Sequence, residues 1–204
     1  MSSSEGYSSP VEPRGGIGGW FGRSRRRHDG PPPGFVPNFP PGGIPEEGQE
    51  AGPPIEFDRL SRLYSGFTLT SPDTILYKNK LYPTAMHLLE AHKFLGPRND
   101  LAERVRNTSG MAELQEVVND LASYARSDWD QAVLDKLDDV LHRKFVQHME
   151  LRNLLLNTGF SEIIYRDPSD LFWGSGPSGE GENNLGKALM SVRERLRRDM
   201  SGRY

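Results

Sequence analysis

The sequence contains no cysteine, which excludes a disulfide-linked scaffold, a cysteine nucleophile and a thiolate metal site. It has no apolar run of the roughly 18 residues that a membrane-spanning helix needs. It also lacks an excess of basic residues: the net charge is −3, so a dedicated nucleic-acid-binding surface is not expected. The hydrophobic fraction is only 35%, because 22 glycines and 16 prolines are present. This composition favours a cytoplasmic protein that is not bound to a membrane.

Glycine and proline are concentrated in residues 1–55, which show no hydrophobic periodicity. Such a segment buries too little apolar surface to offset the entropy lost on ordering, so we predict a disordered tail. Basic residues occur in it at Arg14 and Arg23–His28. These basic residues are compatible with a nuclear-import signal or an RNA contact. The simpler interpretation is that they are solvated charges that keep the tail extended. Residues 56–204 have the composition of one globular domain.

Hydrophobic periodicity and turn signals within this domain predict several helices and a few short strands, which is an α+β arrangement. Phe67–Thr70 and Thr74–Lys78 are predicted to pair as a hairpin around the turn Ser71–Asp73. The first predicted helix is capped by Thr84 and ends before Gly96-Pro97, and two further helices are predicted at 99–106 and 111–125. A long helix from Trp129 to Asn157 has Leu134, Leu137, Leu141 and Phe145 as its predicted buried stripe. A strand is predicted at 161–165, and the last helix is predicted to be capped by Asn183 or Asn184.

A glycine-rich loop, Asp170–Gly186, precedes the last helix. Glycines let backbone N–H groups approach a ligand, and N–H groups at a helix N-terminus favour anions such as phosphate. Gly174, Gly176 and Gly179 match the dinucleotide-binding G-x-G-x-x-G, but no βαβ unit surrounds them. A near match to a P-loop has Ala188 where Ser or Thr is required. We reject both motifs and keep an anion-binding loop as the hypothesis.

Several spaced motifs follow one another through the domain. They are Tyr82-Pro83-Thr84, His87, Lys93-Phe94, Trp129, Lys144-Phe145-x-Gln147, Leu154-Leu155, Thr158-Gly159, Asp170-x-x-Trp173-Gly174-x-Gly176, Asn184-Leu185-Gly186 and Leu189-Met190-x-x-Arg193. This series resembles the NADAR superfamily, also called YbiA-like, from about Leu81 to Arg197, with a weaker match at Ser65–Phe67. The resemblance implies a compact, mostly helical N-glycosidase domain. Members of that family act on ribosylamino-pyrimidine phosphates of riboflavin synthesis or remove ADP-ribose from modified guanine bases.

The implied chemistry indicates which side chains the site needs. Cleavage of an N-glycosidic bond passes through an oxocarbenium-like sugar, so a carboxylate is needed near the anomeric carbon. Phosphate needs cationic or N–H donors, and a base prefers an aromatic platform. The candidate ligand-binding residues are Lys93, Trp129, Lys144, Trp173, Gly174, Gly176, Asn184, Gly186 and Arg193. No cofactor is expected, and no metal, because His87 and His92 lack an acidic partner at a metal-ligand spacing.

The sequence departs from the family pattern at two acidic positions. The family's candidate acid–base, a Glu shortly after Tyr-Pro-Thr, is replaced by Met86, which cannot hold a charge or move a proton. A second acid, at the end of the strand before the glycine loop, is replaced by Tyr165. Glu90 lies four residues after Met86 on the same helix face, about 6 Å further along. We therefore predict Glu90 and Asp170 as the catalytic residues.

Each candidate also has a structural interpretation. Glu90 fits a solvated residue or an ion-pair partner of Lys93, and Asp170 fits a residue that caps the turn. The tryptophans fit core anchors, and the basic residues fit ordinary surface charge.

Two functions remain open at this point. The first is an active N-glycosidase acting on a ribose-phosphate or ADP-ribose derivative. The second is a catalytically inactive module that binds ADP-ribose or a nucleotide. An RNA-associated role of Arg14–Arg27 is less favoured. We expect a small-molecule ligand, nucleic acid only through the basic tail or as a modified base, no membrane, and a cytoplasmic or nuclear location.

Overall fold

The structure is a computed structural model that describes residues 51–201. Most of the predicted disordered tail therefore lies outside the described residues, and the first strand begins at the last residue of that prediction. The strands are β1 Ile55–Phe57, β2 Ile75–Tyr77, β3 Lys80–Tyr82 and β4 Ile163–Tyr165. The helices are α1 Ala85–Ala91, α2 Asn99–Arg106, α3 Met111–Asp120, α4 Trp129–Gln147, α5 Met149–Leu156 and α6 Asn184–Ser201. The predicted mostly helical α+β class is confirmed.

The hairpin differs from the prediction. Strand β2 pairs with β3 in antiparallel register, and Phe67–Thr70 forms no strand, because Ser65–Phe67 is a 3₁₀ turn. The connecting residues Lys78 and Asn79 have φ angles of +47° and +61°. Two successive residues with positive φ are typical of the tight hairpin turn whose twist matches that of the strands. The turn chemistry at Lys78 and Asn79 therefore decides the pairing.

Helix α1 begins as predicted. The Thr84 hydroxyl accepts a hydrogen bond from the His87 backbone N–H at 3.3 Å, which satisfies one of the donors that a helix start leaves open. Every residue of α1 is buried, because the helix packs against both α2 and α4. This helix carries Glu90 into the interior of the domain.

The predicted long helix is broken into α4 and α5. His148 has an extended backbone (φ −115°, ψ 95°), and its ring Nε2 lies 2.7 Å from the carbonyl oxygen of Thr74. This contact joins the break to the segment before β2. The side chains of Leu137, Leu141 and Phe145 are buried as predicted, but Leu134 is 46% exposed, so its place in the buried stripe was wrong.

Strand β4 lies between β1 on one edge and the side chain of Asn183 on the other. It pairs with β1 in parallel, with Ile55 opposite Ile163. The Asn183 side chain accepts from the Tyr165 N–H at 2.9 Å and donates to the Ile163 carbonyl at 2.9 Å. The Asn183 side-chain amide thus makes the hydrogen bonds to this edge of β4 that a neighbouring strand would otherwise make. The predicted capping role of Asn183 is met only by its backbone carbonyl, which accepts from Lys187 N–H at 3.0 Å.

No helix in residues 51–201 has both the length and the apolar character needed to cross a bilayer.

We expect Asn183→Gly to lower the free energy of unfolding by about 1–3 kcal/mol, because two buried backbone groups of β4 lose their partner. Asn183→Ala should lower it by about 1 kcal/mol more, because Asn183 has a φ of +51°, which alanine adopts at a cost. Urea denaturation measures both. An Asn183→Gly variant as stable as the wild type would contradict the role of the side chain.

Candidate functional site

Three of the predicted site residues lie together, and we call Glu90, Lys93 and Trp129 the Glu90 cluster. Glu90 is 3% exposed near the end of α1, and its Oε2 lies 2.6 Å from Lys93 Nζ. Lys93 Nζ also lies 5.4 Å from the centre of the Trp129 ring, a cation–π distance. The Lys93 carbonyl accepts from the Arg126 N–H at 2.9 Å, which holds the start of α4 beside the end of α1. The cluster thus combines a carboxylate, an ammonium group and an indole.

Burial raises the pKa of Glu90, and the positive charge of Lys93 opposes that rise. Removing a carboxylate from water favours its neutral form, whereas a nearby cation favours the anion. Any event that separates Lys93 from Glu90 therefore raises the pKa of Glu90. A carboxyl group in this situation can act as a proton donor as well as a negative charge.

Met86 and Tyr165, where we predicted that the sequence departs from the family pattern, are core residues. Met86 is 4% exposed, and its backbone N–H donates to the Leu69 carbonyl at 2.8 Å. Tyr165 is fully buried and lies 5.2 Å from Phe57, ring centre to ring centre, and burial raises the pKa of its hydroxyl. Neither side chain supplies a carboxylate.

Asp167 is a buried acid that the sequence analysis did not select. It is 3% exposed, and its Oδ2 accepts from the Tyr165 hydroxyl at 3.3 Å and lies 3.7 Å from Arg59. Its other carboxylate oxygen accepts from the N–H and hydroxyl of Ser169. The only sequence signal for it is its position two residues after Tyr165. Its contacts hold the chain that enters the glycine loop.

Several backbone N–H groups at the end of the glycine loop have acceptors within the loop itself. Those of residues 182–185 all donate to carbonyls of residues 171–174, at 2.7 to 3.2 Å. The two arms of the loop thus bond to each other, and the N–H groups of Asn184 and Leu185 at the start of α6 take part in these bonds. Anion binding by the remaining groups of the loop stays a prediction.

The glycines of the loop are required by packing. A Cβ at Gly186 would overlap the carbonyl oxygen of Ile163, so this residue sets the close approach of α6 to β4. Gly176 has a φ of +66°, in the left-handed region where other residues are strained. Roles of Gly174, Gly176 and Gly186 in ligand binding stay predictions.

The polar and aromatic candidates of the loop also have structural partners. Asp170 Oδ1 accepts from the N–H groups of Phe172 and Trp173 at 2.9 and 2.8 Å, so it caps the turn. Trp173 is 7% exposed and packs edge-on against Phe172. The Asn184 side chain donates to Glu182 Oε2 at 2.8 Å. Catalysis by Asp170 and ligand binding by Trp173 and Asn184 stay predictions.

Lys144 is a fully buried lysine on α4. Its Nζ donates to the carbonyls of Gly66 and Thr68 at 2.5 and 2.9 Å and to the Ser71 hydroxyl at 2.5 Å. An ion pair with Asp73 at 3.3 Å completes its surroundings. Burial lowers the pKa of Lys144 to about 8. All three N–H donors of the ammonium group thus have acceptors within the protein, and its predicted contact with a ligand stays a prediction.

Arg193 is likewise part of the core, on α6. One of its guanidinium nitrogens donates to the Thr158 hydroxyl at 2.7 Å and to the Ser161 carbonyl at 2.8 Å. Burial lowers the pKa of its guanidinium group, with a contribution from nearby Arg197. These contacts attach α6 to the segment between α5 and β4, and a ligand role for Arg193 stays a prediction.

Within residues 51–201, no group of His, Asp or Glu side chains is placed to hold a metal ion.

A groove of about 510 Å³ runs between α4 and α6. Its lining residues are Leu134, Asp135, Leu137, Asp138, Asp139, Asn184, Lys187, Ala188 and Ser191. Asn184 is the one predicted site residue among them, so the groove and the Glu90 cluster have different linings.

A family model described as the NADAR domain matches residues 52–197. The chain therefore belongs to the NADAR domain family. It is 30% identical over 148 residues to the N-glycosidase Npun_R5314 of Nostoc punctiforme, covering 72% of this chain and 95% of that protein. It is 32% identical over 142 residues to the N-glycosidase YbiA of Escherichia coli, covering 70% and 88%. The NMR structure of E. coli YbiA matches with a TM-score of 0.67 and 28% identity, over 78% of this chain and 94% of that one.

We expect Lys144→Met to lower the free energy of unfolding by about 2–4 kcal/mol, because the buried acceptors around Nζ lose their donor. Lys136→Met on the same helix, whose side chain is half-buried, is the matched control and should change stability by less than about 0.5 kcal/mol. Urea denaturation at pH 7 measures both. Equal effects of the two substitutions would contradict the role of Lys144.

The stability contributed by Lys144 should rise between pH 8 and pH 10.5. The folded pKa of about 8 lies below the ordinary 10.5, so the unfolded chain binds more protons in this interval. Raising the pH therefore favours the folded state. The difference in unfolding free energy between wild type and Lys144→Met should increase across this interval. A difference that stays constant with pH would contradict the lowered pKa.

Proposed function

We propose that the domain binds a ribose-phosphate or ADP-ribose derivative at the Glu90 cluster and hydrolyses its N-glycosidic bond. The observation that carries this proposal is the burial of the Glu90 carboxylate between apolar core residues and the Lys93–Trp129 pair. Membership in the NADAR family and similarity to two proteins named N-glycosidases support it. The substrate classes are a ribosylamino-pyrimidine phosphate and an ADP-ribosylated base.

Each member of the cluster has a part in the reaction. The indole of Trp129 offers a flat face on which a base can stack, and the ammonium group of Lys93 attracts phosphate. Glu90 stabilises the positive charge that develops on the sugar as the bond to nitrogen breaks. Water adds its oxygen to the anomeric carbon, and the departing base takes up a proton. No step requires a metal or a redox cofactor.

The ion pair between Glu90 and Lys93 couples ligand binding to acidity. A phosphate that attracts Lys93 removes the cation that holds the pKa of Glu90 down, so the effect of burial prevails. Glu90 is then more readily protonated and can give a proton to the leaving base. Binding of the substrate phosphate would thus raise the pKa of Glu90, the acid that protonates the leaving base of the same substrate.

A second candidate function is recognition without turnover. It is favoured by the burial of Met86 and Tyr165, which leaves no carboxylate at either acidic position of the family pattern. The ion pair with Lys93 also offsets the negative charge of Glu90. A former enzyme that retains the aromatic and cationic residues could still hold ADP-ribose. Binding without any base release from either substrate class would establish this function.

Glu90→Gln should reduce base release at least about 100-fold while the affinity for ADP-ribose changes less than about threefold, because the amide keeps the shape and removes the proton chemistry. Release is followed by chromatography, and affinity by calorimetric titration of the full chain.

Glu116→Gln, an exposed change on α3, is the matched control and should leave both quantities unchanged. Full hydrolysis by Glu90→Gln would refute the catalytic role of Glu90.

A further inference from the structure

The lining of the groove between α4 and α6 is partly apolar and partly acidic. We call Leu134, Leu137 and Ala188 its apolar floor and Asp135, Asp138 and Asp139 its acidic rim. Leu134 is 46% exposed although it is a large apolar residue. Three aspartates and one lysine are the charged residues of the lining, so the groove is negative. A ligand that fits it combines apolar side chains with positive charge.

Arg195 already contacts part of the acidic rim. One of its guanidinium nitrogens lies 3.4 Å from Asp138 and 3.7 Å from Asp139. The Asp138 and Asp139 side chains nevertheless remain 28% and 50% exposed, and Asp135 is also exposed. Arg195 alone therefore does not screen the rim from a second cationic group.

Residues 20–27 of the same chain have the complementary chemistry. Their sequence is Trp20-Phe21-Gly22-Arg23-Ser24-Arg25-Arg26-Arg27, an aromatic pair followed by four arginines. The 23 residues from 28 to 50 connect this segment to the described part of the chain. Such a connection spans on the order of 75 Å when extended, whereas a domain of about 150 residues has a radius of gyration of roughly 15 Å. Every face of the domain is within reach.

We propose that residues 20–27 dock in the groove between α4 and α6 of their own chain. The aromatic pair covers the apolar floor around Leu134, and the arginines lie along the aspartate rim. Arginine suits this rim because its planar guanidinium group can bind a carboxylate through two hydrogen bonds. The tether holds the segment at a local concentration in the millimolar range, so weak contacts are sufficient. The basic segment thereby has a partner within the chain.

The absence of cysteine from the sequence allows a direct test by disulfide trapping. Ser24→Cys is combined with Ser191→Cys, since Ser191 is exposed and lines the groove. In the full chain under mild oxidation at low salt, the intramolecular disulfide should form at least about tenfold faster than in the control Ser24→Cys/Glu116→Cys, whose second cysteine lies on α3. About 0.5 M salt should remove most of this advantage, because it screens the rim.

Two further variants separate docking from random encounter. Replacement of Arg25, Arg26 and Arg27 by alanine should bring the trapping rate down to that of the control. The pair Leu134→Ala/Asp135→Asn should do the same without unfolding the domain, because both residues are exposed. Equal rates for the groove and control pairs would overturn the proposal. Disulfides formed mainly between two differently tagged chains would also overturn it, because a second copy would then occupy the groove.

Discussion

The buried ammonium group of Lys144 holds the part of the fold on which the candidate site depends. Its hydrogen bonds fix the carbonyls of Gly66 and Thr68, and the next carbonyl, that of Leu69, accepts the Met86 N–H in the first turn of α1. The chain from α4 through this segment to α1 therefore determines where Glu90 lies. Burying this charge is costly, and the lowered pKa of Lys144 expresses that cost.

The features that could be predicted from the sequence depend on local rules. Thr84 caps α1, and α2 has its predicted bounds, because capping residues and apolar spacing act within one or two turns. The predicted strand Thr74–Lys78 contains β2, but its partner was predicted on the wrong side. A Ser-Pro-Asp turn competed with the turn at Lys78 and Asn79, and the left-handed conformation that this turn needs is unusual for lysine. The break at His148 could not be foreseen, since it depends on a contact with Thr74, far away in the sequence.

The candidate site was predictable to a similar degree. Glu90 and Lys93 are one helical turn apart, so their pairing follows from spacing, and the position of Trp129 was suggested by the resemblance to the family. The uses of Lys144 and Arg193 could not be read from spacing, because their partners lie tens of residues away. The glycine loop is ambiguous for a physical reason: glycines that allow a ligand to approach equally allow a helix to approach a strand. Gly186 serves the second purpose.

Our proposed function places the ligand at the Glu90 cluster. The most direct measurement is NMR titration of the indole N–H signals with ADP-ribose, with Trp129→Phe and Trp173→Phe used to assign them. We expect a saturable shift of the Trp129 signal together with nearly constant signals from Trp173 and from the amides of residues 182–185. Shifts confined to Trp173 and the loop amides, with Trp129 unchanged, would contradict this placement of the ligand.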